Sequence, residues 1–432
     1  MTKDSYDLII VGCGMAGAAA GLTALKEDLT VCIIERKKSE FVGRKICGEL
    51  APLKMVKWLE KEFSISLDYY SLKGLEICTL SGYVDSTQGV ARVRDPLCTI
   101  DRWQFGQVMM KELLRRGAEF CHEVVTGPVW RNGVHGVKTH GRSYYGTLTV
   151  DCSGVFSALS RGLWQGLGSS SSIGLGYKEN VILEEPIPKE YAAIIFDNSI
   201  VPSGYFWFFP KGKCELNVGA GGMALHCAPF RKAVNQVLKS YPCFRVKEKN
   251  STGYGALPLG APLSSMVAPG LLVCGDAAGQ ANPLTGEGIA PSLNAGHMAV
   301  TTAVEAIRRK DVSVAALWKY NYDFMQKFGR IFGSLLPLRD FMVSLSVKEL
   351  KLLLQNVITD EVLYELEENE PSYTLKTILT TAANAARNPS LLFKLGRAVG
   401  RMSILRAIYD RYPKDPRRFP QWRQHAAAWG GL

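Results

Sequence analysis

The chain has 432 residues, 47% of them hydrophobic, with 51 basic and 40 acidic side chains and a formal charge of +11. That is room for two or three domains around a sizeable core. It excludes a disordered polyelectrolyte, because no run of five like charges occurs. The eleven cysteines are scattered, with no C-x-x-C pair, so zinc spacing is absent and no metal is expected. Free thiols in a cytoplasmic protein without a secretory signal are the expectation. The apolar runs at 8–11 and 271–274 are far shorter than the roughly 20 residues of a membrane span. The positive charge suits nucleic acid, anionic lipid or a phosphorylated substrate, and no nucleic-acid recognition motif accompanies it.

In chain order, residues 7–11 (DLIIV) predict a buried strand, followed by a glycine-rich turn and an alanine-rich helix to about Lys26. A second strand, TVCIIE, ends on Glu35. Residues 103–116 carry helical spacing, and 127–150 alternate around RNG and HGR turn signals, as short antiparallel strands do. TLTVDCSG predicts another buried strand. From about 172 to 255 the pattern is mostly strand, interrupted by a helix near 230–240. LLVCGDAAG predicts a strand, 288–309 a helix, and from about 317 helices dominate almost to the end. No internal repeat or low-complexity segment is present.

The first strand, turn and helix place glycines at 12, 14 and 17. Gly12 serves a tight turn, Gly14 the approach of backbone to a pyrophosphate, and Gly17 close helix–strand packing, with the helix N-terminus facing the phosphates. Glu35, at the end of the second strand, can accept hydrogen bonds from an adenosine ribose and repels a 2′-phosphate. Strand, glycines, helix, strand and terminal acid together predict a dinucleotide site. Tyr205, Trp207 and Phe209 alternate, so they share one strand face, either as core or as the wall of an apolar binding site. Cys47 sits in a glycine-bounded loop, GRKICGE, between Lys45 and Glu49. A free cysteine there either packs or acts beside the cofactor.

Further segments carry a family resemblance. VCGDAAGQANPLTGEGI (273–289) resembles the second flavin motif of the p-hydroxybenzoate-hydroxylase-like flavoproteins. That likeness implies that Asp276 meets the ribityl chain and that a helix starting at Gly286 to Gly288 faces the isoalloxazine. DCSGVFSALSR (151–161) resembles the third motif, with Asp151, Gly154, Ser157 and Arg161, and Arg102 in IDRWQF resembles the arginine that reaches FAD phosphates. The GRKICGE loop, the Y-x-W-x-F-P strand in PSGYFWFFPKGKCELNVGAG, GALPLGAP, and the tail NPSLLFKLGRAVGRMS…YDRYPKDPRRFPQWR are similar to the geranylgeranyl reductase family, over nearly the whole chain. Two departures stand out: Ile46 occupies a place where proline is common before the cysteine, and the flavin helix begins TGEG rather than with plain glycines.

The resemblance implies an α/β (α+β) architecture. A Rossmann-like FAD domain is expected from residues 1–80, 98–165 and 265–316. An antiparallel substrate sheet takes 81–97 and 166–264, and a helical region takes 317–432. It implies FAD as cofactor, with Ala16, Arg36, Cys47, Gly48, Val125 and Ile289 joining Gly12, Gly14, Gly17, Glu35, Arg102, Asp276, Gly286 and Gly288 around it. The implied reaction saturates C=C bonds of geranylgeranyl chains on isoprenoid lipids or prenyl diphosphates. Hydride comes from reduced flavin N5, and protonation involves Cys47. Tyr205, Trp207 and Phe209 would line the chain channel. NAD(P)H or a ferredoxin-like protein would supply electrons to a monomer. Alternatives are an aromatic monooxygenase or halogenase (a W-x-W-x-I-P segment is absent), a reductase of prenyl chains on menaquinone or a chlorophyll precursor, and a non-catalytic prenyl-binding escort. The tail, with nine basic residues against Asp410 and Asp415 between 391 and 432, predicts peripheral contact with an anionic membrane. Lys394, Arg397, Arg401 and Arg406 lie along an apolar helix whose Leu392, Phe393, Leu395, Val399, Ile404 and Leu405 either pack inward or meet lipid.

Overall fold

The computed structural model describes residues 5–80, 83, 90–159, 173–187, 190–202, 204–223, 229–240, 244–356, 360 and 389–432. β1 (Tyr6–Val11) leads through the glycine turn into α1 (Met15–Lys26) and β2 (Val31–Glu35). β1 and β2 pair in parallel, Leu8 opposite Val31. Helices cover both faces of such strands, so they read as unbroken apolar runs. β3 (Leu50–Pro52), α2 (Leu53–Phe63), β4 (Tyr69–Leu72), β5 (Leu75–Thr79), β6 (Val90–Val93) and β7 (Leu97–Ile100) follow. β3, β7 and β4 form a small antiparallel sheet. α3 (Arg102–Arg115) begins at Asp101, whose carboxylate caps it by accepting from the backbone N–H groups of Trp103 and Gln104 at 2.9 Å.

β8 (Glu119–His122), β9 (Val125–Trp130), β10 (Val134–Thr139) and β11 (Ser143–Asp151) complete this half of the first sheet. The sequence divides 127–150 from TLTVDCSG; the structure joins them. β11 pairs antiparallel with β10 from Ser143 to Tyr145 and then parallel with β1 from Gly146 to Asp151. At the changeover Gly146 packs tightly on β1, where a Cβ would lie 2.9 Å from Ile9 Cγ1.

β12 (Ile173–Leu183), β13 (Ala192–Phe196), β14 (Gly204–Pro210), β15 (Glu215–Met223), α4 (Phe230–Ser240) and β16 (Val246–Pro258) build the second sheet, in the order β16-β12-β15-β14-β13-β5-β6. Here the structure differs from the expected division. β5 falls inside 1–80, yet it pairs in parallel with β13, Leu75 opposite Ala192, within the seven-stranded sheet. A five-residue strand carries no local mark of the sheet it joins, and its partner lies far along the chain. α4 lays Phe230, Val234 and Val237 on one face of this sheet, against Phe206, Phe208 and Val218.

The chain returns to the first sheet with β17 (Val267–Ala268) and β18 (Leu271–Val273), and α5 (Ile289–Arg308) follows. α5 packs on α1 closely enough that a Cβ on Gly296 would lie 2.1 Å from Ala16 O. α6 (Val314–Phe324), a π-helical turn (Met325–Gly329), α7 (Arg330–Val343), α8 (Val347–Asn356), α9 (Pro389–Asp410) and α10 (Phe419–Ala428) make the helical region. Leu395, Val399 and Leu405 turn inward on α9, while Phe393 is 74% exposed. Several of the tail's basic groups are engaged: Lys394 with Glu349, Arg406 with Asp410, and Arg417 with Asp415. Arg397, Arg411, Lys414, Arg418 and Arg423 are exposed. Among the described residues, no helix is long and apolar enough to cross a membrane.

Candidate active site

The three glycines of the first turn have three different surroundings. Gly12 has φ +94°, and a Cβ there would press on the Cys152 carbonyl at 2.5 Å. Gly17 lies against the Gly12 carbonyl, where a Cβ would come within 1.9 Å. Gly14, the N-cap of α1, has nothing within 4 Å of the place a Cβ would occupy. Its bareness therefore serves no neighbour in the protein, as expected if a ligand approaches there. Ala16, the second residue of α1, is buried against Gly275. Glu35 is buried, and its carboxylate accepts from the backbone N–H of Cys13 at 2.8 Å and of Lys37 at 2.9 Å. Free lone pairs remain on each oxygen. Arg36 is exposed beside it, and Val125 is half-buried at the start of β9. His122 at the end of β8 approaches Arg36, its Nε2 3.2 Å from the Arg36 carbonyl.

Arg102 is the decisive side chain. It is 7% exposed at the start of α3, and its Nε and Nη1 are buried without a hydrogen-bond partner. Burial pushes its pKa down, while Cys47, Asp276 and Glu49 pull it back up. Lys37 is likewise pushed down by burial, with Arg36, Arg102 and Lys45 adding repulsion against the pull of Glu35. A guanidinium keeps its proton even so, and a buried unpaired cation is destabilising. The group therefore fits an anion that supplies the missing acceptors, as a pyrophosphate would.

Asp276 stands in a 3₁₀ turn, Gly275–Ala278, after β18, and its carboxylate pairs with Lys45. Gly286 (φ +72°) and the N-cap Gly288 open α5, with Ile289 its first, buried residue. Glu287 between them has its pKa raised by burial. Asp151 is fully buried and accepts from Ser153 (backbone N–H, 3.0 Å; hydroxyl, 2.5 Å) and from the Ser157 hydroxyl at 2.6 Å. It thus fixes the turn through Gly154 (φ +89°). Arg161 lies outside the described residues.

Cys47 is half-buried, and its sulfur accepts the backbone N–H of Glu49 at 3.3 Å. Its loop lies on the aromatic stripe. A Cβ on the neighbouring Gly48 would meet the Phe209 ring at 2.8 Å, and Ile46 fills the space beside Gly253 and Gly255. Tyr205, Trp207 and Phe209 do share one face of β14, while Phe206 and Phe208 take the other. Ring centroids are 6.2 Å apart for Tyr205–Trp207 and 6.3 Å for Trp207–Phe209. The Tyr205 hydroxyl donates to the Thr285 carbonyl at 2.5 Å, tying the stripe to the turn before α5. Its pKa is raised to about 12 by burial, with Cys47 adding to the shift. Cys47, Arg102, Asp276 and the stripe therefore converge between the two large sheets.

Beneath the Cys47 loop is a charged cluster that the sequence reading passes over. Glu49, 4% exposed and with φ +66°, receives Lys211 Nζ at 2.8 Å, Lys178 Nζ at 3.5 Å, Asn217 Nδ2 at 2.9 Å and the Arg102 backbone N–H at 3.1 Å. Burial alone raises its pKa, but the two lysines outweigh burial and leave it below the ordinary carboxylate range. The available signal was the polar run KEN inside an otherwise apolar strand: buried charge in a strand interior demands partners.

Comparison with known proteins agrees with this geometry. Residues 173–252 match the model of the geranylgeranyl reductase catalytic domain. A digeranylgeranylglycerophospholipid reductase of Methanococcoides burtonii is 30% identical, over 81% of this chain and 86% of that protein. The chain belongs to the geranylgeranyl reductase family. A further family member, the digeranylgeranylglycerophospholipid reductase of Sulfolobus acidocaldarius, is 26% identical over 98% of this chain and 97% of its own length. Among solved structures, a geranylgeranyl bacteriochlorophyll reductase-like protein of Thermoplasma acidophilum has TM-score 0.75 at 21% identity, covering 91% of this chain and all but 1% of its own. A flavin-dependent brominase has TM-score 0.63 at 15% identity, over 98% of this chain and 99% of its own. These two likenesses establish the α/β fold that this geranylgeranyl reductase shares with them.

Proposed function

We propose that this chain binds FAD and saturates C=C bonds in the geranylgeranyl chains of isoprenoid lipids. The observation that carries the reading is the buried, unpartnered guanidinium of Arg102, which Cys47, Asp276 and Glu49 all influence electrostatically. The names of the curated relatives, digeranylgeranylglycerophospholipid reductases, support the substrate class. Gly12, Gly14, Gly17 and Arg102 hold the pyrophosphate, and Glu35 takes the ribose hydroxyls. Asp276, Gly286 and Gly288 hold the ribityl and ring portions, with Ala16, Arg36, Cys47, Gly48, Val125 and Ile289 completing the surround. When bound, the flavin supplies the hydride.

An isolated trisubstituted alkene has no carbonyl to polarise it, so a proton must arrive at the second carbon. Cys47 holds that proton on Sγ, and the Glu49 N–H stabilises the sulfur once the proton has left. Tyr205, Trp207 and Phe209 orient the chain and keep water away. Electrons come from NAD(P)H or a ferredoxin-like donor, the protein acts as a monomer, and the basic tail meets the anionic lipid surface from the cytoplasmic side without insertion. The test is anaerobic. Dithionite should bleach the bound flavin, and a geranylgeranylated phospholipid should restore its colour. An escort protein would leave it bleached.

A further inference from the structure

Asn217 lies on β15 with no solvent exposure, between the two features that the proposed reaction uses. Its Nδ2 donates to the Cys47 carbonyl at 3.0 Å and to Glu49 Oε2 at 2.9 Å, and its Oδ1 accepts from the Trp207 indole N–H at 2.8 Å. An indole N–H only donates, and a carbonyl and a carboxylate only accept. The amide therefore has one satisfying orientation. In that orientation the Cys47 loop, the Glu49 cluster and the Trp207 ring hang on a single planar group.

The surroundings leave each partner little freedom. Trp207 lies flat over β15, where a Cβ on Gly219 would be 2.1 Å from its Cζ2 and one on Gly221 3.5 Å from its Cζ3. Glu49 is clamped by Lys178 and Lys211, both almost fully buried. A residue whose only task was to fill this space would be apolar, since burying an amide is unfavourable unless every bond is made. Here each bond goes to a group of the site, and none to a neighbouring strand backbone.

We propose that Asn217 is a positioning residue that fixes the Cys47 loop and the Trp207 indole relative to one another. The proposal rests on the reading above, in which Cys47 delivers the proton and Trp207 bears on the chain.

The test uses the full-length, FAD-loaded protein and iodoacetamide, with modification of Cys47 followed by peptide mass mapping so that the other cysteines do not confuse the rate. Asn217→Ala releases the Cys47 carbonyl and should speed alkylation by about five-fold, the equivalent of one lost hydrogen bond. Trp207→Phe keeps a ring but removes the indole N–H, leaving the amide less constrained, and should speed it by about two-fold. If N217A does not retain FAD, W207F decides alone. Wild-type alkylation rates in the FAD-loaded variants overturn the proposal. In turnover, N217A should lower kcat while KM for the lipid stays within about two-fold, because an interaction that orders the reacting groups has been lost. A raised KM at unchanged kcat contradicts it. Alkylation needs no substrate: a wild type that fails to reduce lipid removes the assigned reaction, and the alkylation result still stands or falls by itself.

Discussion

A buried guanidinium without partners destabilises the empty protein and stabilises the loaded one, so Arg102 predicts effects of opposite sign. Arg102→Met should raise the Tm of the FAD-free protein. It should also weaken FAD binding by about 10- to 100-fold, since a charge-assisted hydrogen bond is worth about 1.5–3 kcal/mol. Thermal scans of apo protein and fluorescence titration with FAD measure the two. A variant that loses stability in both states would show that Arg102 is structural only. Glu49 gives a pH-dependent counterpart. Its folded pKa is lowered, so the stability contributed by Lys178 and Lys211 is complete above the unfolded value, about 4.3, and is lost as pH falls through the folded value. Glu49→Gln lacks that contribution at every pH. The Tm gap between wild type and E49Q should be wide at neutral pH and should narrow below about pH 4. A gap independent of pH would contradict the ion-pair account.

The unit β1–α1–β2 makes a prediction that separates packing from binding. Gly17→Ala drives a methyl to 1.9 Å from the Gly12 carbonyl and should abolish the soluble folded protein. Gly14→Ala meets nothing within the protein, so the apo Tm should be unchanged while FAD affinity falls. Equal damage from both, or none to FAD binding from G14A, would remove the pyrophosphate from this turn. This unit was legible in the sequence because everything that defines it is local: buried strands, three glycines and a terminal acid within thirty residues. The alternation of Tyr205, Trp207 and Phe209 was legible for the same reason. The pairing of β5 with β13 was not, because register between distant strands leaves no trace in either segment alone. Nor was the set Glu49, Lys178, Lys211 and Asn217, which comes together from the Cys47 loop, β12, the turn between β14 and β15, and β15 itself. Cys47 could be singled out from its loop, but the groups that hold it required the fold.

At the scale of the whole molecule, the charge of +11 and the exposed Arg397, Arg411, Lys414, Arg418 and Arg423 with Phe393 suit a peripheral contact with anionic lipid. Each basic group near such a surface contributes about 1 kcal/mol, within a screening length of roughly 8–10 Å. Sedimentation with anionic vesicles should therefore be strong at low salt, weak at high salt and weak with neutral vesicles. Equal binding to both lipids would contradict an electrostatic contact. The convergence of Arg102, Asp276, Cys47 and the aromatic stripe between two sheets leads to one central claim, that the chain hydrogenates prenyl chains. The most direct measurement is mass spectrometry of a digeranylgeranylglycerophospholipid after anaerobic incubation with the FAD-loaded protein and dithionite. Mass gains in steps of two hydrogens are predicted. A lipid of unchanged mass, recovered from a fully reduced and FAD-replete protein, would contradict the account.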